Sequence, residues 1–426
     1  MTLPLERHWK NLSWIFTVEI FWGVSLALIS NVAIIPVFLT HLGASNTTVT
    51  AIPVLWLVAT GVPAMFASHY TGRLVYRRRY VFVAHLVTSI PWLLTAAWFL
   101  FGPRISSSVD IAVLLAGWGV AWIWMGYFTP IWINFIGKVT RPELRARSFG
   151  IIFFFQTLMS AIGGWVGSRI IGSGLPFPAN YGVGFGIAGG AMAVAGFFFL
   201  PVVEESSEPL PEEPPFRRIV RHAREILTDR GGIRTYLGIY TLCAGWPVLT
   251  AFYPIWAEKR FGLEPKDSAI YTAVCMAGNM LGSLLSGAIG DRFGYAKVAA
   301  IASVAFVAGL ASAILGETRH WYYVTAFLLG IYIVSDRLAL YNLSMAYSPH
   351  EDNTSYLGII PALTTPILVL AALLCGPLID AVGFTAVAAG SLALGLVGAY
   401  LALFKLPEPR WSLVGKRRVE VTVPDP

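Results

Sequence analysis

The sequence predicts an all-α integral membrane protein with twelve transmembrane helices in two pseudo-symmetric six-helix bundles. Three observations predict it. Of 426 residues, 56% are hydrophobic and 12% charged, which leaves more apolar surface than a water-soluble chain can bury. The apolar residues gather into runs of about 20, the length a helix needs to cross a bilayer. Landmarks of the first half also recur in the second at a slowly drifting offset. Arg73 and Arg292 are 219 residues apart, as are Gly43 and Gly262, and Pro36 and Pro254 are 218 apart. Pro142 to Gly150 resembles Pro349 to Gly358, and Leu200-Pro201 and Leu406-Pro407 close the two halves. A duplicated unit with small loop deletions produces this pattern.

Taken in order, the spans are expected at 12–40, 49–72, 80–101, 110–138, 148–171 and 181–201, then at 235–258, 268–290, 296–315, 321–347, 355–380 and 383–405. Helix is the expected element, because an isolated strand leaves its backbone groups unsatisfied in lipid. Gly163-Gly164-x-x-Gly167 and Gly278-x-x-x-Gly282 read as patches where helices approach closely. Pro36, Pro247 and Pro254 are expected to bend the first and seventh spans near their outer ends.

The bundles are expected at 1–201 and 235–405, joined by a hydrophilic linker at 202–234 and followed by a tail at 406–426. The linker begins acidic and proline-rich, from Glu204 to Pro215. It continues as a basic amphipathic stretch, Phe216 to Leu227, expected to form a short helix on the membrane surface.

Orientation follows from the basic residues. With the N-terminus inside, the inner segments hold 23 of the 30 Lys and Arg, the outer segments six, and Arg337 lies within a span. That asymmetry predicts cytoplasmic termini and a cytoplasmic linker. The net charge of +7 is read through this topology and not as a nucleic-acid surface. Cys243, Cys275 and Cys375 all sit in apolar runs, expected as small buried side chains and not as a disulfide or metal set. No cleavable signal segment is expected.

Ionisable groups within spans are the candidate functional residues, since charge in a bilayer is costly and marks a cavity or a partner. Glu19 lies about eight residues into the first span, roughly 12 Å at helical rise. Arg337 lies about ten residues from the inner end of the tenth, roughly 15 Å. Arg337 is a permanent cation suited to a carboxylate, a carbonyl or an anionic substrate group. Its neighbour Asp336 points about 100° away around the helix. Glu19 is a candidate proton carrier. A static pair of Glu19 or Asp336 with Arg337 that only holds helices is the structural alternative. Aromatic and polar side chains extend the same faces: Trp22; Trp118, Trp122, Tyr127 and Asn134; Tyr236 and Tyr240; Tyr341. They read either as packing or as walls for an organic solute.

The whole chain resembles the major facilitator superfamily of secondary transporters. The sharpest local match is Gly287-x-x-x-Asp291-Arg292-x-Gly294-x-x-Lys297 in the loop after the eighth span; in the first half Gly72 stands in place of the aspartate and Val75 in place of the last glycine. The resemblance implies two six-helix bundles, a cavity lined by spans 1, 4, 7 and 10, and a gating role for Gly287, Asp291, Arg292 and Gly294 in holding cytosolic helix ends together. Two departures set the chain apart from the family's multidrug antiporters. The fifth span carries Gly163-Gly164-Trp165-Val166-Gly167 without their proline, and the fourth has no buried Arg.

The expected function is secondary transport of a small organic solute, neutral or anionic, by alternating access, coupled to protons. Efflux of amphipathic compounds, or a non-transporting sensor or scaffold of the same fold, are the alternatives. No enzyme chemistry, cofactor, metal or nucleic acid is expected. The expected partners are the substrate, the lipid bilayer and protons, and the chain is expected to be a monomer in the cell membrane.

Overall fold

The computed structural model describes residues 3–31, 34–67, 74–103, 105–207, 209, 213–229, 232–263, 265–348 and 353–409. Arg73 and Gly72 of the first-half loop, Pro349-His350 of the second-half repeat, parts of the linker and most of the tail lie outside these residues. The described chain is helical, with no strand among the described residues.

The first half holds α1 (Leu5–Leu28), α2 (Ile34–His41), α3 (Asn46–Ala64), α4 (Arg78–Phe101), α5 (Ser107–Val139), α6 (Arg145–Ile171) and α7 (Ala179–Phe197). The linker contributes α8 (Pro215–Thr228). The second half holds α9 (Gly232–Leu242), a π-helical turn (Val248–Phe252), α10 (Tyr253–Phe261), α11 (Pro265–Phe293), α12 (Tyr295–Leu315), α13 (Arg319–Tyr347), α14 (Asn353–Val382) and α15 (Phe384–Phe404).

Among the described residues, ten helices are long and apolar enough to cross a membrane. The expected sixth and seventh spans are not among those ten. α7 carries six glycines, which dilute its hydropathy. The expected seventh span is not one helix: the ladder of α9 ends at Leu242 and resumes through the π-helical turn after Pro247. The expected first span is likewise broken between α1 and α2. Pro36 falls in the first turn of α2 and Pro254 in the first turn of α10, where a missing N–H leaves no bond unmade. Gly43 and Gly262 then end α2 and α10 with φ of +83° and +61°, a left-handed conformation that disfavours any Cβ.

The chain separates into two compact units. One contains Met1–Pro142, Ile152–Ile219 and Leu357–Thr365; the other contains Glu143–Ile151, Val220–Tyr356 and Pro366–Pro426. Within the first, α4 packs on α7 and α5, α1 on α7, and α3 on α5. Within the second, α13 packs on α11 and α12, and α15 on α12 and α9.

Glycines set the close approaches. A Cβ on Gly163 would lie 2.8 Å from Val24 Cα, and one on Gly23 would lie 2.3 Å from Gln156 O, so α1 and α6 touch backbone to backbone. Gly278 and Gly282 do the same for α11 against α13, at 2.1 Å from Phe327 O and 2.9 Å from Val334. The linker helix α8 exposes Phe216, Val220 and Leu227 beside Arg217, Arg221 and Arg224 and buries His222 and Ile226.

Candidate functional site

Each unit carries its own candidate residues. In the first, α1 carries Glu19, only 2% exposed. Gln156 Nε2 on α6 donates to Glu19 Oε2 at 2.6 Å. The contact exists because Gly23, one turn along α1, lets the Gln156 turn of α6 come within backbone distance; Ser160 Oγ closes the seam by donating to Gly23 O at 2.9 Å. Gln156 was not singled out in the sequence, although a lone amide within Phe153-Phe154-Phe155-Gln156 is a signal of a polar partner.

The aromatic residues expected around Glu19 divide by role. Trp22 is buried edge-on against His85, with ring centroids 5.4 Å apart. Trp118 Nε1 donates to Asn31 Oδ1 at 2.7 Å and so fastens the break between α1 and α2 to α5. Tyr127 packs on Trp124, whose indole donates to Ala84 O at 3.1 Å. Trp122 meets Trp56 edge to face at 5.9 Å. Among the described residues, the indole N–H groups of both, and Oδ1 of buried Asn134, have no hydrogen-bond partner.

In the second unit, Asp336 and Arg337 of α13 diverge, as adjacent helical residues must. Asp336 lines a small pocket with Tyr236 and Tyr240 of α9, Cys243 just after it, Ser303 of α12 and Tyr332 of α13. Tyr236 and Tyr240 have ring centroids 6.2 Å apart, and the Tyr236 hydroxyl is buried without a hydrogen-bond partner among the described residues. Arg337 is half-buried and is not among the pocket-lining residues. Tyr341, one turn further on, packs against Phe149 at 5.8 Å.

The expected gating residues form a helix-capping cluster. Asp291 accepts the backbone N–H of Ala146 at 2.9 Å and that of Arg147 at 3.2 Å, and pairs with Arg147 Nε at 3.6 Å. A carboxylate there satisfies orphan donors of the first turn of α6 and opposes the helix dipole. Gly287 lets this turn approach, since its Cβ would lie 3.0 Å from Arg147 Cα. Gly294 turns the chain into α12 with φ +106°. The Arg292 guanidinium lies over the Phe293 ring, 5.0 Å from its centroid.

Two further caps went unnoticed in the sequence. Glu204 accepts the backbone N–H groups of Arg77 and Arg78 at 2.8 Å, at the start of α4. Glu408 accepts that of Ala296 at 2.9 Å, at the start of α12. Arg77 and Ala296 are 219 residues apart, the offset of the sequence repeat. Among the described residues no His, Cys, Asp and Glu cluster suited to a metal occurs.

The sequence profile of the Major Facilitator Superfamily matches residues 20–364. The chain belongs to this superfamily. Its fold is similar to that of the human organic anion transporter MFSD10 (TETRAN), with TM-score 0.71 at 14% identity, covering 94% of this chain and 100% of that one. It is also similar to the proton:xylose symporter XylE, with TM-score 0.69 at 13% identity over 94% of this chain and 97% of that one. The E. coli fucose:proton symporter FucP gives TM-score 0.66 at 14% identity over 92% and 98%. No curated protein matches the chain in sequence. As a superfamily member, the protein is a multi-pass membrane protein and a secondary transporter.

Proposed function

We propose that this transporter moves a small organic, anionic solute across the cell membrane by alternating access, and that Glu19 couples the movement to protons. The observation that carries the coupling is Glu19 itself: a buried carboxyl on an apolar helix, held by a neutral amide. A carboxyl within a bilayer is retained for function far more often than for packing. A neutral Gln partner allows both protonation states, because an amide offers a donor to the carboxylate and an acceptor to the acid.

Arg337 is the proposed anchor for the anionic group, as a cation that cannot deprotonate. Trp22, Trp118, Trp122, Tyr127, Asn134, Tyr236, Tyr240, Asp336 and Tyr341 are the proposed substrate and coupling residues. The unpartnered polar atoms of Trp122 and Asn134 support that reading. Gly287, Asp291, Arg292 and Gly294 are the proposed gating residues. Among the similar folds, the xylose and fucose proton symporters support proton coupling, and the organic anion transporter supports an anionic solute. The proposed form is a monomer with both termini and the 202–234 linker cytoplasmic, joining bundles at 1–201 and 235–405.

The test is a solute screen in proteoliposomes with an imposed pH gradient, repeated with Glu19→Gln. The expected result is gradient-driven accumulation in the wild type, lost in Glu19→Gln while counterflow persists, since exchange needs no net proton release. Full accumulation by Glu19→Gln would refute the coupling.

A further inference from the structure

At about 100° per residue, helix α8 divides into three faces. Arg218, His222 and Ile226 form the buried one. Next around the helix come Phe216, Val220 and Leu227, within about 40° of one another, and all three are exposed. Arg217, Arg221 and Arg224 follow within about 60°, exposed as well. Arg218 is used within the fold, where it pairs with Glu213 at 3.6 Å. Arg221 lies at the far edge of the basic face and shares Glu225 at 3.3 Å. Arg217 and Arg224 are the cations nearest the apolar stripe. Glu225, the one acid of α8, lies on the side away from it.

The start of this stripe adjoins a membrane-crossing helix. α3 is long and apolar enough to span a bilayer. Leu55, Val58 and Val62 are exposed on it, spaced as neighbours on successive turns, as a helix facing lipid requires. Phe66, just past the end of α3, meets the Phe216 ring edge to face with centroids 6.2 Å apart. Phe216 is still 72% exposed, so Phe66 does not cover it. The apolar surface of α3 thus leads onto that of α8. In water the stripe would stay uncovered at a cost. In the headgroup layer it reaches acyl chains while the arginines lie level with phosphates.

The charge selects the lipid. A zwitterionic headgroup brings its own cation beside the phosphate and gains little from an arginine. An anionic one does not, and the planar guanidinium fork matches its phosphate oxygens. The sequence predicts only a helix at the membrane surface; the faces of α8 and its junction with α3 specify what it takes there. We propose that α8 is a docking site for anionic phospholipid. Phe216, Val220 and Leu227 enter the boundary of the bilayer that the protein spans, and Arg217 and Arg224 hold lipid phosphates.

The experiment places a nitroxide at Val220→Cys in the full-length chain, with Cys243, Cys275 and Cys375 changed to serine. The protein is reconstituted in phosphatidylcholine vesicles with and without phosphatidylglycerol. Collisions of the label with oxygen report lipid, and collisions with a water-soluble nickel chelate report water; burial against protein suppresses both. The expected result is a label that moves from water into lipid when phosphatidylglycerol is present. Arg217→Gln and Arg224→Gln should each lower the ratio of immersed to water-exposed label about fivefold, the weight of one basic residue at an anionic surface. Added salt should weaken the immersion. A label in water in both vesicle types overturns the proposal and leaves the face to a soluble protein. Equal immersion in both overturns the choice of anionic lipid, and suppression of both collisions overturns the docking. Should the cysteine-free chain fail to fold, hydrogen exchange of the wild type decides: amides from Val220 to Leu227 that exchange equally in the two vesicle types overturn the proposal. The readout involves no transport, so a negative outcome leaves the Glu19 reading untouched.

Discussion

Gln156 Nε2 on α6 donates to Glu19 Oε2 on α1 at 2.6 Å, and both side chains belong to the same compact unit. The proposed proton carrier is therefore held by a neutral partner supplied by the fifth expected span. A hydrogen bond to a charged group is worth about 1.5–3 kcal/mol.

Gln156→Leu should thus impair coupling without removing the carboxyl. The expected outcome is a roughly tenfold to hundredfold loss of gradient-driven accumulation, the factor that such a bond represents. Counterflow should be nearly unchanged. Uphill uptake and counterflow measured on the same proteoliposomes decide it; parallel loss of both would place Gln156 in substrate binding.

Asp291 caps the first turn of α6 through Ala146 and Arg147. Asp291→Asn keeps the shape but removes the charge, so the cap weakens by about 0.3–1 kcal/mol. The expected outcome is slower transport, with solute affinity in the outward-open state changed no more than a few-fold. Loss of binding with unaltered state populations would contradict the gating role.

Glu204 and Glu408 cap α4 and α12 at positions related by the repeat. Glu204→Ala removes the acceptor from two backbone N–H groups and also the partner of Lys138, 3.6 Å away. It should cost about 1–2 kcal/mol, at the upper end for a lost cap, and Glu408→Ala about 1 kcal/mol. Hydrogen exchange should accelerate at the amides of Arg77 and Arg78 in the first variant and of Ala296 in the second. Exchange unchanged at those amides would show the caps to be dispensable.

Much of this architecture was legible because the repeat carries its contacts with it. Gly150 and Gly358 were matched in the sequence, and each leaves room for a backbone carbonyl: an added Cβ would lie 2.4 Å from Ser283 O and 2.1 Å from Ala64 O. Ala64 and Ser283 are themselves 219 residues apart. Pro36 and Pro254 likewise mark helix breaks, because a missing N–H acts locally. What stayed hidden was pairing. Gln156 meets Glu19 across 137 residues, and Glu204 meets Arg78 across 126. Helical periodicity places a residue on a face and does not say which helix covers it. Hydropathy placed the seventh span and its prolines foretold a bend, but not that the ladder stops at Leu242 and resumes after Pro247, since an apolar run reads alike whether its ladder is bent or broken.

Arg337 is half-buried in α13 beside an acid whose side chain lines a separate pocket. If it anchors an anionic solute, geometry should matter as well as charge. Arg337→Lys keeps the charge and loses the planar fork, and should weaken binding of an anionic solute about tenfold, the worth of one charge-assisted bond. Arg337→Gln should weaken it further. Normal solute binding by Arg337→Gln, measured by isothermal titration, would refute the anchor role.

The seam between α1 and α6 links packing to the proposed chemistry. A Cβ on Gly23 would sit 2.3 Å from Gln156 O and 2.9 Å from Met159 Cβ. Neither atom is the far end of a flexible side chain, so the helices must part. Parting them carries Gln156 away from Glu19 and breaks the bond from Ser160 Oγ to Gly23 O at the same turn. Overpacking of this kind costs about 1–3 kcal/mol. Gly23→Ala should therefore lower stability by that amount and reproduce the coupling defect of Gln156→Leu, although it alters neither ionisable group. Gly164, on the facing helix α6 and with nothing within 4 Å of its Cβ position, is the control. Gly164→Ala should leave both properties as they are. Equal defects in the two variants would mean that glycine content in general, and not the Gly23 contact, sets the behaviour of the α1–α6 seam.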